Sequence, residues 1–496
     1  MGLAFKNVHD WNIAATPVSR RDEPPLVLDL DRSLLRSDML LECALNYLRP
    51  NPLRVFRLLG WALKGRAYLK RQLAEAVPFD LSTLPVNAEL VAFAETEKRR
   101  GRNVYLATAA DEIVAVRVAI RFPFLDGVVS SDGRTNLKGD VKAQFLTERF
   151  PDGFDYAGDS RADLPVWRQA RRVIAVEPNA SVERAVRALG KPTTVIAREP
   201  RWRALVKSLR LHQWAKNSLV FVPAILSGAI ADPVTAVSCA AAFVAIGLLA
   251  SGTYLLNDMW DLTSDRKHWS KRNRPLASGA LPIAHAVVAC GLLLTAGLGL
   301  AAGIGRATLL MLGAYLLTTL AYSFRLKRVP ILDGFVLAGL FTLRIAIGIA
   351  TAAVIASPWL LVFSMFLFAS LSFAKRHTEV SRVIAQGGQA INGRGYVALD
   401  APLLLGLGLA TGTASILIMV LYLINDAFGR GFYGNAVWLW ALPCLLFLWI
   451  ARVWLVGQRG ELDDDPVAFA MKDRLSILMG VGVGLAFLCA WIGVPL

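Results

Sequence analysis

The sequence has few cysteines and no segment that resembles an export signal. It contains five cysteines in 496 residues, scattered along the chain, and neither disulfide nor metal-ligand spacing is present. A disulfide framework and a cysteine-bound metal are therefore excluded, and we expect the cysteines to pack as small buried hydrophobes. The N-terminal residues lack the apolar core of a secretory signal. We therefore expect the first part of the chain to remain in the cytoplasm.

Long apolar runs are concentrated in the second half of the chain. The apolar fraction is 55% and the mean hydropathy +0.46, values that soluble enzymes seldom reach. Residues 1–190 have the composition of a soluble domain, 191–207 form a Pro/Arg-rich linker, and 208–496 hold the apolar runs. The net charge of +16 fits a membrane surface or an anionic substrate better than nucleic acid.

Nine apolar segments are long enough, or nearly so, to cross a bilayer. They lie near residues 217–232, 235–256, 284–304, 307–324, 332–353, 357–373, 402–424, 435–456 and 476–495, and the first is short. Lysine and arginine are concentrated on alternate loops. The positive-inside rule then predicts nine spans in the inner membrane, with a cytoplasmic N-terminal domain, cytoplasmic active sites and the C-terminus outside.

The loop after the second apolar segment has an acidic pattern. Asn257, Asp258, Asp261 and Asp265 recur at spacings of three and four, which places them on one face if the helix continues. Hard oxygen ligands of this kind suit Mg²⁺ with a bound phosphate. The cations that follow, Lys271 and Arg274, are expected to hold phosphate oxygens.

This motif resembles the first diphosphate motif of the UbiA superfamily of membrane transferases, and the resemblance covers residues 208–496. It implies an all-α, nine-helix transmembrane bundle whose central cavity opens to the cytoplasm. It also implies a catalytic Mg²⁺–diphosphate complex on Asp258, Asp261 and Asp265.

The second acidic motif of ordinary UbiA prenyltransferases is missing, since the loop after the sixth apolar segment carries Lys375 and Arg376 instead. The overall pattern, with the final DDDPVAFAMKDR, resembles the decaprenyl-phosphate phosphoribosyltransferase branch. The implied donor is 5-phosphoribosyl diphosphate (PRPP), and the acceptor is a polyprenyl phosphate. The expected substrate-binding residues are Lys216, Asn217, Asn257, Lys271, Arg274, Tyr322, Lys327, Arg344, Lys375 and Arg376. For Arg344, a structural pairing with Asp333 is the alternative.

The soluble half contains four separated motifs in a fixed order. Strand-like runs end at LVLDLD and VYLATAA, and the segments LKGDVKAQFL and YAGDSRADLPVW follow. Alternating strands and helices predict an α/β, Rossmann-like, doubly wound sheet. The series resembles the haloacid dehalogenase (HAD) superfamily. It implies Asp29 as nucleophile, Asp31 as general acid/base, Thr108 and a lysine as phosphoryl ligands, and Mg²⁺ on Asp29, Asp31, Asp159 and Asp163. Lys142 is preferred as this lysine, and Lys138 stays open as the alternative.

A small helical cap is expected at about residues 36–85. Six cations there, Arg54, Arg57, Lys64, Arg66, Lys70 and Arg71, alternate with apolar residues. This basic amphipathic pattern suits an anionic membrane surface. A cap helix packed on its own domain explains it equally well.

The sequence therefore supports a bifunctional enzyme with Mg²⁺ in both domains. The membrane half makes polyprenyl-phosphoryl 5-phosphoribose, and the HAD phosphatase removes its 5-phosphate. One alternative is prenylation of an aromatic or quinone acceptor beside a regulatory or unrelated HAD domain. Another is a transporter or lipid-binding anchor. The oligomeric state, a homo-oligomer included, stays open.

Overall fold

A computed structural model describes residues 23–77, 80–132, 135–197, 200–389, 394–429, 431–462 and 469–495. The chain forms two compact units. The first comprises residues 1–209 and 254–289, and therefore includes the acidic motif. The second comprises residues 210–253 and 290–496. The first half of the final DDDPVAFAMKDR segment, residues 463–468, lies outside the described residues.

The first unit contains a six-stranded sheet in which every pair of neighbouring strands is parallel, in the order β3-β2-β1-β4-β5-β6. Leu26 and Leu28 pack into one apolar core, and Val27 packs into the other. Alternate residues of β1 are therefore buried on opposite faces, as expected for a sheet covered on both sides. The strands are β1 (Leu26–Leu28), β2 (Val104–Asp111), β3 (Gly127–Ser131), β4 (Asp155–Gly158), β5 (Val173–Val176) and β6 (Thr193–Ile196). The α/β prediction is confirmed.

The strand order reverses beside β1, because β1 pairs with β2 on one side and with β4 on the other. In open parallel sheets such a reversal creates a crevice at the carboxyl ends of the strands, where ligands bind. Asp29 and Asp31 follow β1, and Asp159 follows β4. The topology thus brings the acidic motifs of the soluble half to one place.

Helices surround this sheet, and three of them fill the predicted cap region. These three are α1 (Met39–Leu48), α2 (Val55–Leu63) and α3 (Arg66–Ala76). The others are α4 (Ala88–Arg99), α5 (Glu112–Ala119), α6 (Asp140–Arg149), α7 (Leu164–Gln169), α8 (Ala180–Arg187) and α9 (Arg201–Leu209). Strand β6 lies within the segment predicted as a linker, and helix α9 begins in it. The β-branched run TTVI extends the sheet beyond residue 190.

Eight helices among the described residues are long and apolar enough to cross a membrane. They are α11 (Pro233–Trp260), α13 (Ile283–Ile304), α14 (Arg306–Phe324), α15 (Leu332–Ala352), α16 (Pro358–Ala385), α17 (Ala401–Tyr422), α18 (Ala441–Gln458) and α19 (Arg474–Ile492). A short helix α12 (Leu262–Lys267) follows α11. This is the helical, integral membrane architecture that the apolar runs predicted.

The first predicted span, 217–232, is not a single helix. It is divided between a 3₁₀ segment, Leu211–Phe221, the short helix α10 (Val222–Leu226) and a 3₁₀ turn, Ala229–Ala231. Pro223 lies in the first turn of α10, and Gly228 has a φ of +76°. Both residues interrupt a continuous helix. The prediction of nine spans was therefore not exact for this segment.

The broken segment packs tightly against α15. A Cβ atom added to Gly348 would lie 2.2 Å from the carbonyl oxygen of Val220. Only glycine permits this approach of the two backbones. The contact holds the 3₁₀ segment beside α15, and Arg344 lies one turn before Gly348.

The cysteines are only partly buried. Cys43, Cys239 and Cys290 are buried as expected, whereas Cys444 on α18 is exposed and Cys489 is half-buried. In a membrane helix an apolar residue can face lipid as well as protein, so the expectation of burial was wrong for Cys444.

Candidate active sites

Asp29 and Lys142 form a buried ion pair at the carboxyl edge of the sheet. Lys142 Nζ lies 2.7 Å from Asp29 Oδ1, and it also donates to the carbonyl of Ala107 and the hydroxyl of Tyr156. The lysine belongs to the first turn of α6, whereas Lys138 is exposed. Of the two candidate lysines, Lys142 is therefore the one that the fold brings to the predicted nucleophile.

Asp31 and Thr108 lie at the same edge. Asp31 Oδ1 accepts a hydrogen bond of 2.8 Å from the backbone N–H of Met39, at the start of α1. Thr108 is buried within β2, and its hydroxyl accepts from the N–H of Ala110. The segment after β1 thus supplies the nucleophile and acid/base positions of the HAD pattern, and the neighbouring strand β2 supplies the threonine position.

Asp159 and Asp163 have different surroundings. Asp159 Oδ2 lies 3.3 Å from Arg32 Nε. Asp163 instead accepts from Tyr156 Oη at 2.9 Å and from the backbone N–H groups of Asp159 and Ser160. Oδ1 of Asp163 therefore binds a side chain of β4, and Oδ2 holds the loop after that strand, which is the geometry of a positioning residue. The role of Asp163 as a metal ligand stays a prediction.

Two cations at this site were not among the predicted site residues. Arg32 has a positive φ of 60°, a backbone conformation that is uncommon for residues other than glycine. Its side chain pairs with Asp159. Lys70 on α3 donates to Asn136 Oδ1 at 2.9 Å and to the carbonyl of Ala109. Its position in the basic cap pattern was visible in the sequence. Its direction towards the catalytic edge depends on how the cap folds.

Burial shifts the proton affinities of the acidic groups upward. It raises the pKa of Asp29 to about 6, against the opposing effect of Lys142. Burial together with Asp38 and Asp29 raises the pKa of Asp31 to about 8. Burial also raises the pKa of Asp159 to about 7. Carboxyl groups so shifted are poised to exchange protons near neutral pH.

Two carboxylates of the acidic motif in the first unit face one guanidinium group. Arg274 Nη1 lies 2.7 Å from Asp265 Oδ2 and 3.1 Å from Asp258 Oδ1. The backbone N–H of Asp261 donates to Asn257, and that of Asp265 donates to Asp261. The helical spacing therefore continues through the bend between α11 and α12. Backbone hydrogen bonds thus connect Asn257, Asp261 and Asp265 in helical steps of four, while a shared face for all four motif residues stays a prediction. Lys271, further along the chain, is exposed.

The donor chemistry of this motif fits Mg²⁺. Carboxylate oxygens of Asp258 and Asp265 already converge on a single cation, Arg274, and hard oxygens are what Mg²⁺ requires. Among the described residues no three acidic, histidine or cysteine side chains are grouped closely enough to form a ready metal cage. At the HAD-like edge, the carboxylates of Asp29 and Asp159 also each face a cation, namely Lys142 and Arg32.

The second unit contains a buried arginine whose contacts among the described residues are with neutral groups. Arg344 donates from Nε to Asn217 Oδ1 at 3.1 Å, from Nη1 to the carbonyl of Leu340 at 2.7 Å and from Nη2 to Tyr315 Oη at 2.8 Å. Lys216 Nζ lies 5.8 Å from the centre of the Phe341 ring, on the same helix as Arg344. We call Lys216, Asn217, Tyr315 and Arg344 the α15 cluster.

The α15 cluster also contains an unused donor. The amide nitrogen of Asn217 is buried and has no hydrogen-bond partner within the described ranges. Buried polar groups are nearly always paired, so this donor is available to a bound ligand. The alternative pairing of Arg344 with Asp333 is wrong.

Asp333 instead pairs with Arg376. Their Nε and Oδ2 atoms lie 2.5 Å apart, and Arg376 Nη1 lies 2.7 Å from Glu379 Oε2. Tyr322 Oη accepts from Arg376 Nη2 at 3.3 Å, and Arg394 also approaches Asp333. Two carboxylates thus neutralise two guanidinium groups. Arg376 is therefore less available to hold a substrate phosphate than the sequence suggested, while Lys327 and Lys375 are half-buried.

The model of the UbiA prenyltransferase family matches residues 220–478. The chain belongs to this family. An uncharacterized protein of Sinorhizobium fredii is 40% identical over 469 residues, which are 94% of this chain and 91% of that protein. A decaprenyl-phosphate phosphoribosyltransferase of Mycobacterium tuberculosis is 31% identical over 297 residues, 57% of this chain and 94% of the relative. The structure of a UbiA homologue from Archaeoglobus fulgidus bound to GPP and Mg²⁺ covers 59% of this chain and 99% of its own, at 15% identity and a TM-score of 0.45. The UbiA resemblance is confirmed, and the chain is a membrane enzyme of this family.

Proposed function

We propose that the membrane half of this UbiA-family enzyme transfers 5-phosphoribose from PRPP to a polyprenyl phosphate. One observation carries the proposal. Arg344 is 6% exposed, and its described partners are the neutral groups of Asn217, Leu340 and Tyr315. A buried charge without a countercharge is costly inside a membrane bundle and is retained for function.

The acceptor phosphate in this proposal supplies the countercharge that the described neighbours of Arg344 do not provide. Asn217 offers a second, unused donor, and Lys216 adds a positive charge beside it in the same 3₁₀ segment. A phosphomonoester on a lipid is anionic at neutral pH, so it needs orientation and no general base. We assign this orienting role to the α15 cluster rather than to Arg376, whose charge Asp333 and Glu379 already balance.

The acidic motif binds the leaving group in this proposal. Asn257, Asp258, Asp261 and Asp265 would hold Mg²⁺, which would neutralise the diphosphate that departs. Arg274 already connects Asp258 and Asp265, and with Lys271 it would bind the phosphate oxygens directly. The bond from C1 of the ribose to the diphosphate breaks, and a bond forms from C1 to an oxygen of the lipid phosphate. The products are diphosphate and polyprenyl-phosphoryl 5-phosphoribose.

The phosphoribosyltransferase relative supports this choice of substrates. That relative is aligned over 94% of its own length, so the match covers a whole transferase and not a shared fragment. The cation-rich loops around the acidic motif also support a cytoplasmic position for both sites. We propose that the enzyme lies in the inner membrane with its N-terminal domain in the cytoplasm.

We further propose that the HAD-like domain removes the 5-phosphate from this lipid product. Asp29 would attack the phosphorus, and the ester oxygen would leave as the ribose hydroxyl with a proton from Asp31. Water then hydrolyses the aspartyl phosphate and regenerates Asp29. Lys142 and Thr108 would bind the phosphoryl oxygens, and Asp29, Asp31 and Asp159 would hold Mg²⁺, with Asp163 supporting the loop.

The choice of donor tests the transferase proposal. Purified full-length enzyme with Mg²⁺ receives either ribose-labelled PRPP with a polyprenyl phosphate, or a labelled prenyl diphosphate with an aromatic acid. Label from PRPP should enter the lipid phase and should not do so with Arg344→Gln. Transfer from the prenyl diphosphate alone would replace the proposal with aromatic prenylation.

A further inference from the structure

Helix α2 in the cap presents an apolar stripe that nothing in the described part of the chain covers. Phe56, Leu59 and Leu63 are spaced by three and four residues, so they share one side of the helix. Their exposures are 71%, 54% and 91%. Leu53, in the 3₁₀ turn before the helix, is 70% exposed and extends the stripe. We call Leu53, Phe56, Leu59 and Leu63 the cap stripe.

The opposite side of α2 already provides the packing that the cap needs. Leu58 and Trp61 contact the core of the α/β domain, and the Trp61 ring lies 5.0 Å from that of Tyr47. The cap stripe is therefore additional to the contacts that hold the helix in place. An exposed apolar stripe of this kind on a folded domain normally marks an interaction surface.

The charged residues around the cap stripe indicate which kind of partner it binds. Residues 43–74 contain seven lysines and arginines and no aspartate or glutamate. Of these cations, Arg57, Lys64 and Arg66 are exposed beside the stripe. Apolar side chains bordered by cations are the pattern of a helix that lies in the headgroup region of an anionic membrane. A protein partner would need an acidic rim around an apolar groove, whereas the bilayer that holds the second unit offers both features.

We propose that the cap stripe inserts into the anionic surface of the bilayer in which the enzyme is embedded. Arg57, Lys64 and Arg66 then contact lipid phosphates, while Phe56, Leu59 and Leu63 enter the acyl boundary. The inference rests on the surface of α2 alone and does not require the proposed reactions. It concerns a lipid surface, whichever substrate the domain acts on.

Hydrogen exchange on the full-length enzyme in lipid nanodiscs tests this proposal. Backbone amides of residues 55–64 should exchange about tenfold more slowly in nanodiscs with phosphatidylglycerol than in purely zwitterionic ones. The double variant Phe56→Ser, Leu63→Ser should lose this difference. The variant Ile120→Ser should keep it, because Ile120 is similarly exposed, at 69%, but lies outside the stripe.

Two results would overturn the proposal. Equal exchange rates in both lipids would mean that the stripe does not enter the anionic surface. Protection that appears in detergent and increases with protein concentration would assign the stripe to a second copy of the chain. High salt should reduce the lipid-dependent protection, because it screens the contribution of the cations.

Discussion

Arg266 donates two hydrogen bonds to Glu42, with N–O distances of 2.6 and 3.1 Å. Arg266 directly follows Asp265 of the acidic motif, and Glu42 lies on α1. The first turn of this helix also binds Asp31 through the N–H of Met39. One helix of the first unit therefore contacts both the acid/base candidate of the HAD-like site and the segment that carries the acidic motif.

Removing either charge of this pair should destabilise α12 and weaken transfer. Glu42 and Arg266 have side chains only 2% and 5% exposed, and an uncompensated buried charge costs about 3–5 kcal/mol. Glu42→Gln should lower the thermal unfolding temperature and raise the Mg²⁺ concentration for half-maximal transfer. Arg187→Gln serves as control, since its ion pair with Glu183 is exposed. A Glu42→Gln enzyme with unchanged stability and Mg²⁺ dependence would contradict this positioning role.

Arg344→Gln should reduce transfer mainly through the acceptor. If the guanidinium holds the lipid phosphate, the KM for polyprenyl phosphate should rise at least about tenfold, the scale of one charge-assisted hydrogen bond. The KM for PRPP should change little. Asn217→Ala should act in the same direction. Arg306→Gln, at the exposed start of α14, should leave both constants unchanged. A selective rise in the KM for PRPP would assign Arg344 to the donor instead.

Substitution of the acidic motif should abolish transfer while the protein stays folded. Asp258→Asn and Asp265→Asn each remove a carboxylate that faces Arg274, which weakens stabilisation of the departing diphosphate. The rate of transfer should therefore fall by roughly a hundredfold or more, the scale of one electrostatic catalytic group. Asp232→Asn is the matched control. Asp232 accepts from Thr235 at the start of α11, and asparagine caps a helix equally well. Full activity of the Asp265→Asn enzyme would exclude the motif from catalysis.

Lys142 and Lys138 should differ sharply in their effect on phosphatase activity. Lys142→Met removes the cation beside Asp29, and phosphate release should fall by about a hundredfold or more. Lys138→Met changes an exposed residue and should have little effect. Transfer of phosphoribose should persist in both variants. The opposite order of the two lysines in a phosphate-release assay would show that the wrong one was assigned.

Mg²⁺ dependence of the phosphatase should vary with pH. Burial raises the pKa of Asp159 to about 7 and, with Asp38, that of Asp31 to about 8. Both carboxyls therefore carry protons at mildly acidic pH, and Mg²⁺ must displace them. The Mg²⁺ concentration for half-maximal phosphate release should fall as the pH rises from about 6 to about 8. A concentration independent of pH would mean that these carboxyls are not the metal ligands.

Much of this architecture could be predicted from the sequence, because it depends on local patterns. Three patterns each reflect a single helix or strand: the period of the acidic motif, the strand-like runs that end at Asp29 and Asp159, and the apolar runs. The broken first span could not be predicted so well. Its break depends on Pro223 and Gly228, and its path depends on a backbone contact with Gly348.

Pairings between distant segments also could not be predicted from the sequence. Arg344 and Arg376 are both arginines of membrane helices, yet one is bonded to Asn217 and the other to Asp333. Which carboxylate reaches which guanidinium depends on the packing of α14, α15 and α16. The same holds for Lys70, whose role at the catalytic edge depends on the fold of the cap.

Mass spectrometry of the lipid product tests the whole account most directly. Full-length wild-type enzyme and Asp29→Asn are each incubated with Mg²⁺, PRPP and a polyprenyl phosphate. The account predicts a polyprenyl-phosphoryl ribose from the wild type and the same lipid with one additional phosphate group from Asp29→Asn. A wild-type product that keeps the phosphate would separate the two activities, and no ribose-containing lipid from either enzyme would contradict the central claim.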